Sequence, residues 1–245
     1  MLPVYATNKI LKNTKVYKNI FIMTVSGNYD IIPGQFFMVR SWGIELLLSR
    51  PLSVFDAGCG YVSFLYEIRG RGTKILSGMK AGDSISMLGP LGNGFDLSNI
   101  KGRAAMVAGG IGLTPMLYTA KKMVGCEVDL YAGFREDVYI VDKFKEYVDN
   151  IYLATDSGKA GHKGFITDIF DPKKYSVVLC CGPWTMMEKV IKKCIKCDVP
   201  IFISMERRMA CGVGACLGCI CKTKNGNKRV CKDGPVFNGR DVIIG

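Results

Sequence analysis

The spacing of apolar positions changes near residue 100. Before it, apolar and polar residues alternate in short runs, and 20–25, 35–40 and 62–68 read as strands. Asn28, Pro33-Gly34, Gly60 and Gly70 supply the turns between them. Residues 80–88 predict a further strand after a turn. Several short strands at close spacing predict an antiparallel β-barrel over residues 1–99. After the break, a short apolar run at 104–108 leads into Gly109-Gly-Ile-Gly-Leu-Thr-Pro115 and an amphipathic helix reaching Met123. Thr114 is placed to cap that helix, and Pro115 suits its first turn. Strands at 127–132, 151–154 and 176–180 then alternate with helical stretches at 141–147, around Thr167, and at 184–196. This alternation predicts a parallel sheet covered on both faces over residues 100–200. Residues 201–245 read as a small separate subdomain, with a cysteine loop and a hairpin over 223–230 turned at Asn225-Gly226.

Composition narrows the function classes. The 245 residues are 49% hydrophobic with 29 glycines, which suits a loop-rich α/β protein. No run of 18 apolar residues is present, and the first residues lack a basic segment followed by an apolar core. Neither a transmembrane helix nor a signal peptide is therefore expected. With 11 cysteines and no sign of secretion, a reducing, cytoplasmic setting is expected. Most cysteines outside the C-terminal group are expected to be small buried hydrophobes. The net charge of +12 comes from scattered lysines with no recognised nucleic-acid module. It fits phosphate-bearing cofactors or an acidic partner protein. The single histidine, His162, argues against histidine acid–base catalysis, a His-rich metal site and a Rieske centre.

The C-terminal cysteines carry the sharpest signal. Cys211, Cys216, Cys219 and Cys231 follow C-x4-C-x2-C with a distal fourth residue, the plant-type spacing for a [2Fe–2S] cluster. Gly212, Gly214 and Gly218 would let the backbone take positive φ and curl around the cluster. Backbone N–H groups in such a curl would point at the sulfurs. A zinc site is the competing use of four thiolates, although its usual form is two short C-x2-4-C knuckles. Cys221, two residues beyond Cys219, is expected to point away from it and is left out of the ligand set.

Other motifs are weaker singly. Arg50-Pro-Leu-Ser53 joins a guanidinium and a hydroxyl to a fixed-φ proline and suits a phosphate or a ring edge. Gly70-Arg-Gly-Thr73 permits close backbone approach to a pyrophosphate and the start of a helix. Gly109-Gly-Ile-Gly112 lies between a strand and a helix. It is not G-x-G-x-x-G, yet it sits where ligands bind on parallel sheets. Cys181-Gly-Pro183 ends another such strand and would face the same crevice. Asp156-Ser-Gly158 with Gly161 and Gly164 reads as a loop over the sheet edge, holding an exposed His162.

In this order the motifs resemble the ferredoxin–NAD(P) reductase superfamily. With Cys211 to Cys219 and the closing Arg229-Val-Cys-Lys-Asp-Gly-Pro-Val-Phe237, the chain is similar to electron-transfer subunits of NAD-dependent dihydroorotate dehydrogenases. The resemblance spans essentially the whole chain and implies an oxidoreductase subunit of pyrimidine biosynthesis. It implies FAD on the barrel, contacted by Arg50, Pro51, Leu52 and Ser53, by Leu65, Tyr66 and Glu67, and by Gly72 and Thr73. It implies a [2Fe–2S] cluster on Cys211, Cys216, Cys219 and Cys231. NAD would face Gly109, Gly110, Gly112, Cys181, Gly182 and Pro183. The implied partner is an FMN-containing catalytic subunit oxidising dihydroorotate, in a heterotetramer of two of each. Ser49 stands where relatives often have a first arginine, and the 41–48 loop is individual to this chain. Two other readings stay open: a subunit of an NAD(P)H-dependent ferredoxin reductase or sulfide dehydrogenase, and a non-catalytic zinc or redox-sensing module on the same fold.

Overall fold

Two seven-stranded sheets organise the chain. The structure, a computed structural model, describes residues 3–44 and 46–243. The first sheet comprises β1 (Val4–Tyr17), β2 (Ile20–Ser26), β3 (Phe36–Arg40), β4 (Arg50–Ser53), β5 (Asp56–Gly58), β6 (Tyr61–Glu67) and β7 (Ser84–Leu91). Their order is β4-β3-β7-β1-β2-β6-β5, with every pair antiparallel. The two edge strands are consecutive in sequence. Val54 N donates to Gln35 O and Phe55 N to Ser63 O, so the connecting residues continue both ladders and curl the sheet into the predicted barrel. The interior is filled by alternate residues such as Phe37, Val39, Phe64, Tyr66, Ile85 and Met87. One helix, α1 (Arg71–Gly78), lies on the barrel.

The second sheet begins with β8 (Arg103–Gly109), β9 (Glu127–Phe134), β10 (Asn150–Thr155), β11 (His162–Lys163), β12 (Val177–Cys181) and β13 (Ile201–Ser204), all parallel. Helices α2 (Thr114–Lys122), α3 (Ile166–Ile169) and α4 (Trp184–Lys196) cover its faces. Strand β8 shows why both faces must be covered. Ala104, Met106 and Ala108 pack towards α2, while Ala105 and Val107 pack towards α4, and all five are buried. Helix α4 buries Met187, Val190, Ile191 and Cys194, an i, i+3, i+4, i+7 stripe.

After β13 the chain forms the cysteine loop, the hairpin β14 (Ile220–Thr223) and β15 (Gly226–Arg229), and the short α5 (Val230–Asp233). It then returns as β16 (Val236–Asn238), antiparallel to β13 at the edge of the second sheet. Residues 201–204 and 236–238 thus share the nucleotide-domain sheet rather than the cysteine subdomain.

Several local expectations are corrected. Thr114 is not the cap of α2 but already helical, because a 3₁₀ turn over Gly110–Leu113 runs straight into the helix. Its hydroxyl donates to Ile111 O at 2.7 Å instead. The 141–147 stretch is helical only as a 3₁₀ turn over Val141–Phe144. The hairpin spans 220–229 and turns at Lys224-Asn225, with Thr223 opposite Gly226.

Candidate functional site

The expected flavin residues meet at the rim of the barrel. Strand β4 pairs with β3, placing Pro51 opposite Met38 and Leu52 opposite Phe37. The N-terminus of α1 comes up beside β4. A β-carbon on Gly72 would stand 2.6 Å from Arg50 Nε and 2.9 Å from the Trp42 ring, so only glycine allows this approach. The Arg50 guanidinium lies 5.1 Å from the Trp42 ring centroid and is steered by the Leu48 carbonyl. The first intrahelical bond is Lys74 N to Gly70 O, which leaves the amides of Arg71, Gly72 and Thr73 free of helical partners. No acidic residue occupies that first turn. Thr73 does not open the helix. It sits at the third position, where its hydroxyl accepts from Arg69 N and Gly70 N. Buried Trp42 Nε1 and Ser41 Oγ have no partner among the described residues. Free amides, one arginine and two orphaned donors form a cradle that fits the phosphates and polar edges of FAD.

On β6, alternation divides the expected residues. Leu65 is buried against the nucleotide domain, and its carbonyl accepts from Thr114 Oγ1. Glu67 lines the cleft and pairs with Arg69 at 2.7 Å. Tyr66 instead turns into the barrel, donating to Asn13 Oδ1 at 3.1 Å, and burial pushes its hydroxyl up to about 12. Its ring is core, leaving only its backbone for a ligand.

Between barrel and parallel sheet lies a cleft of about 1130 Å³. Gly109, Gly110, Gly112, Gly182 and Pro183 all line it, at the carboxyl ends of β8 and β12. A β-carbon on Gly112 would fall 2.3 Å from Cys181 O, and one on Gly109 2.6 Å from Pro183 Cδ. The two turns therefore interlock through backbone, and the floor stays open to a pyrophosphate. Cys181 itself lies beneath this floor, 2% exposed, and burial pushes its thiol well up. It is not a lining group. His162 is exposed and 3.7 Å from Asp168, outside the cleft.

The four expected cysteines assemble in two pairs, one of Cys211 with Cys216 and one of Cys219 with Cys231. Gly214 N donates to Cys231 Sγ at 3.1 Å, Cys216 N to Cys211 Sγ at 3.4 Å, and Cys231 N to Cys219 Sγ at 3.4 Å. Burial raises the Cys211 thiol, but the amides of Cys216, Val213 and Ala215 outweigh it and hold the group down at about 6. Burial and the neighbouring Cys219 push Cys231 up to about 12. Among the described residues no three ligating side chains surround a single point. Two neighbouring thiol pairs suit a binuclear cluster held by four thiolates, each iron taking two. Gly212 and Gly214 have φ of +74° and +83° as expected, but Gly218 does not take the positive φ, and Leu217 does at +59°. The exclusion of Cys221 rested on a direction the structure reverses. Strand alternation puts Cys219, Cys221 and Thr223 on one buried face. Burial raises the Cys221 thiol.

The cluster loop seats directly on the flavin barrel. A β-carbon on Gly212 would stand 2.5 Å from Met38 Cγ and 3.1 Å from Leu91. Met38 in turn is paired with Pro51. One strand separates the cysteines from the flavin cradle.

Fold and site together define a flavin-dependent reductase of the ferredoxin-reductase class that carries its own cysteine-held iron–sulfur centre. A family model for the iron–sulfur cluster binding domain of dihydroorotate dehydrogenase B matches residues 206–243. The electron transfer subunit of dihydroorotate dehydrogenase B (NAD(+)) from Clostridium acetobutylicum is 50% identical over 240 residues, spanning 98% of both chains. Its counterpart from Clostridium perfringens is 48% identical over 97% of this chain and 98% of its own. The chain belongs to this family of electron transfer subunits. A solved NADH-dependent reduced ferredoxin–NADP oxidoreductase, studied for flavin-based electron bifurcation, superposes with a TM-score of 0.88 at 31% identity. It covers 97% of this chain and 90% of that one. A ferredoxin NADP⁺ reductase from Neisseria gonorrhoeae with bound FAD and NADP shares the fold at a TM-score of 0.64 and 16% identity, over 84% of this chain and 95% of its own.

Sequence reading missed part of the cleft. Tyr17 and Lys18 come from the barrel, Tyr139 and Phe165 from loops of the nucleotide domain, and Glu206 from the start of the cysteine segment. None carries a motif. The only signal for Glu206 was its place in Met205-Glu-Arg-Arg beside the cysteines.

Proposed function

We propose that this chain receives electrons at its cluster from an FMN-containing subunit that oxidises dihydroorotate, and delivers them through FAD to NAD⁺. The assembly would hold two copies of each subunit. FAD would be held by Arg50 to Ser53, the backbone of Leu65 to Glu67, and the α1 amides at Gly72 and Thr73. The cluster would be held by Cys211, Cys216, Cys219 and Cys231, and NAD⁺ by Gly109, Gly110, Gly112, Gly182 and Pro183. A flavin exchanges electrons one or two at a time and so joins a one-electron cluster to a hydride acceptor.

The chain's own residues place and insulate. The α1 amides and Arg50 offset pyrophosphate charge. The amides of Gly214, Cys216 and Cys231 donate to the sulfurs and favour their anionic state. Gly109 and Gly112 keep the cleft floor at backbone level. The Glu67–Arg69 pair walls the cleft on the barrel side. These residues act by position.

The observation that carries this reading is the seat of Gly212 on Met38, itself paired with Pro51, which brings the cluster loop within one strand of the flavin cradle. The test is reconstitution with the FMN-containing subunit and measurement of NAD⁺ reduction by dihydroorotate. Turnover is expected. No dihydroorotate activity, together with turnover driven by reduced ferredoxin, would replace this partner with ferredoxin.

A further inference from the structure

Two contacts between the barrel and the nucleotide domain, on opposite sides of the cleft, differ in character. Beneath α2 the seam is packed. Tyr118 N donates to Phe55 O at 3.1 Å, Thr114 Oγ1 to Leu65 O, and Lys121 pairs with Asp56 at 2.8 Å. Across the cleft the contact is a single tight turn, Lys18-Asn19, between β1 and β2. Lys18 Nζ reaches Glu136 Oε2 at 3.0 Å and Asp137 Oδ2 at 3.2 Å. The Tyr17 hydroxyl donates to the Asp137 carboxylate. The Tyr17 ring lies parallel to that of Tyr139, with centroids 5.6 Å apart and planes 8° apart. All five residues line the cleft.

Tyr139 stands over the glycine floor of the cleft. A β-carbon on Gly110 would be 3.5 Å from the Tyr139 hydroxyl, and Phe134 meets the ring edge-on at 5.1 Å. The ring lines the same cleft as the glycine floor and Glu67 of β6. The ring's own position is fixed from the barrel side by Tyr17. The ionic part of the contact is exposed, with 59% of the Lys18 and 65% of the Glu136 side chain accessible, so it is weak and screened by salt. The Lys18 ion pairs are thus the part of the domain contact that salt weakens, beside a ring stack that salt leaves alone.

We propose that Tyr17 and Lys18 form a clasp with Glu136, Asp137 and Tyr139 that gates the cleft and sets the rate at which the nicotinamide nucleotide enters and leaves. The proposal rests on the cleft's taking that nucleotide. It assigns to a barrel hairpin a positioning role at the nucleotide site.

The test uses the complete two-subunit complex with its cofactors, reduced with dithionite beforehand so that bound NADH stays reduced. NADH dissociation is followed by its fluorescence on displacement with excess ADP-ribose, from low to high salt. In the wild type, release accelerates with salt. Lys18→Glu replaces two attractions by repulsions and should release NADH about tenfold faster, with little further response to salt. Lys18→Gln should fall between. Glu136 has Lys18 as its one ion-pair partner among the described residues, and Asp137 is the second carboxylate facing Lys18, so adding Glu136→Lys and Asp137→Asn to Lys18→Glu should restore slow, salt-sensitive release. Wild-type rates in both single variants would overturn the clasp, as would a charge swap that stays as fast as Lys18→Glu. A wild-type complex that binds no NADH would overturn the cleft assignment itself.

Discussion

Gly212 packs on Met38 so closely that a β-carbon at Gly212 would lie 2.5 Å from the methionine Cγ. With φ at +74°, the position is closed to other residues twice over. Gly212→Ala should cost about 1–2 kcal/mol from the backbone alone, and in addition push the loop off the barrel. Iron content per chain and the thermal midpoint should both fall. Gly226→Ala is the matched control, with φ of +87° but open space around it. It should lose a similar backbone increment and keep its iron.

The Arg50 guanidinium lies beside the N-terminus of α1, held by Trp42 and the Leu48 carbonyl. Arg50→Ala should weaken FAD retention about tenfold or more, the worth of one charge-assisted contact. Arg50→Lys should recover only part of this, because an ammonium lacks the planar fork. The FAD-to-protein absorbance ratio after gel filtration measures both. Unchanged retention in Arg50→Ala would remove Arg50 from the cradle.

Cys221 shares the buried face of Cys219 but belongs to neither thiol pair. Cys221→Ser should therefore keep a full complement of iron and sulfide and an unaltered visible spectrum. Cys231→Ser should lose the cluster on purification. Iron loss in Cys221→Ser would redraw the ligand set.

Asp129 is fully buried at the opposite end of the parallel sheet from the cleft. It accepts from Arg103 Nη2 at 2.8 Å, Tyr175 Oη at 2.7 Å and Asn150 Nδ2 at 2.9 Å. Asp129→Ala strands the buried Tyr175 hydroxyl and the Asn150 amide and should cost about 1–3 kcal/mol in urea unfolding. Because the network is remote from the glycine turns, NADH affinity of the folded fraction should stay as in the wild type.

Chemistry written within one short stretch was legible in the sequence. The four cysteines lie between positions 211 and 231, so spacing alone restricts what they bind. The regular elements with two-sided or striped burial, such as β8 and α4, were equally clear. The longest strand, β1, was not singled out. Of its 14 residues only Ile10 is fully buried, and its place is fixed by backbone pairing to β7 and β2 on its two sides. Strands β13 and β16 are four and three residues long, too short for a period to show. The clasp was invisible for another reason. Tyr17 and Asp137 are 120 residues apart, and neither side chain belongs to a local pattern. The same holds for Trp42, whose orphaned indole N–H marks the cradle only once α1 has been placed against it.

Strand β16 returns to lie beside β13, pairing Val236 with Ser204, Phe237 with Ile203 and Asn238 with Phe202. The whole excursion that carries the four cysteines therefore starts and finishes at neighbouring points of one sheet edge. A segment with adjoining ends can be deleted, lengthened or exchanged without rerouting any strand before it. The metal-bearing piece has the geometry of an interchangeable cartridge, so related reductases could gain or lose a one-electron terminal by a single insertion while keeping the flavin and nucleotide machinery intact.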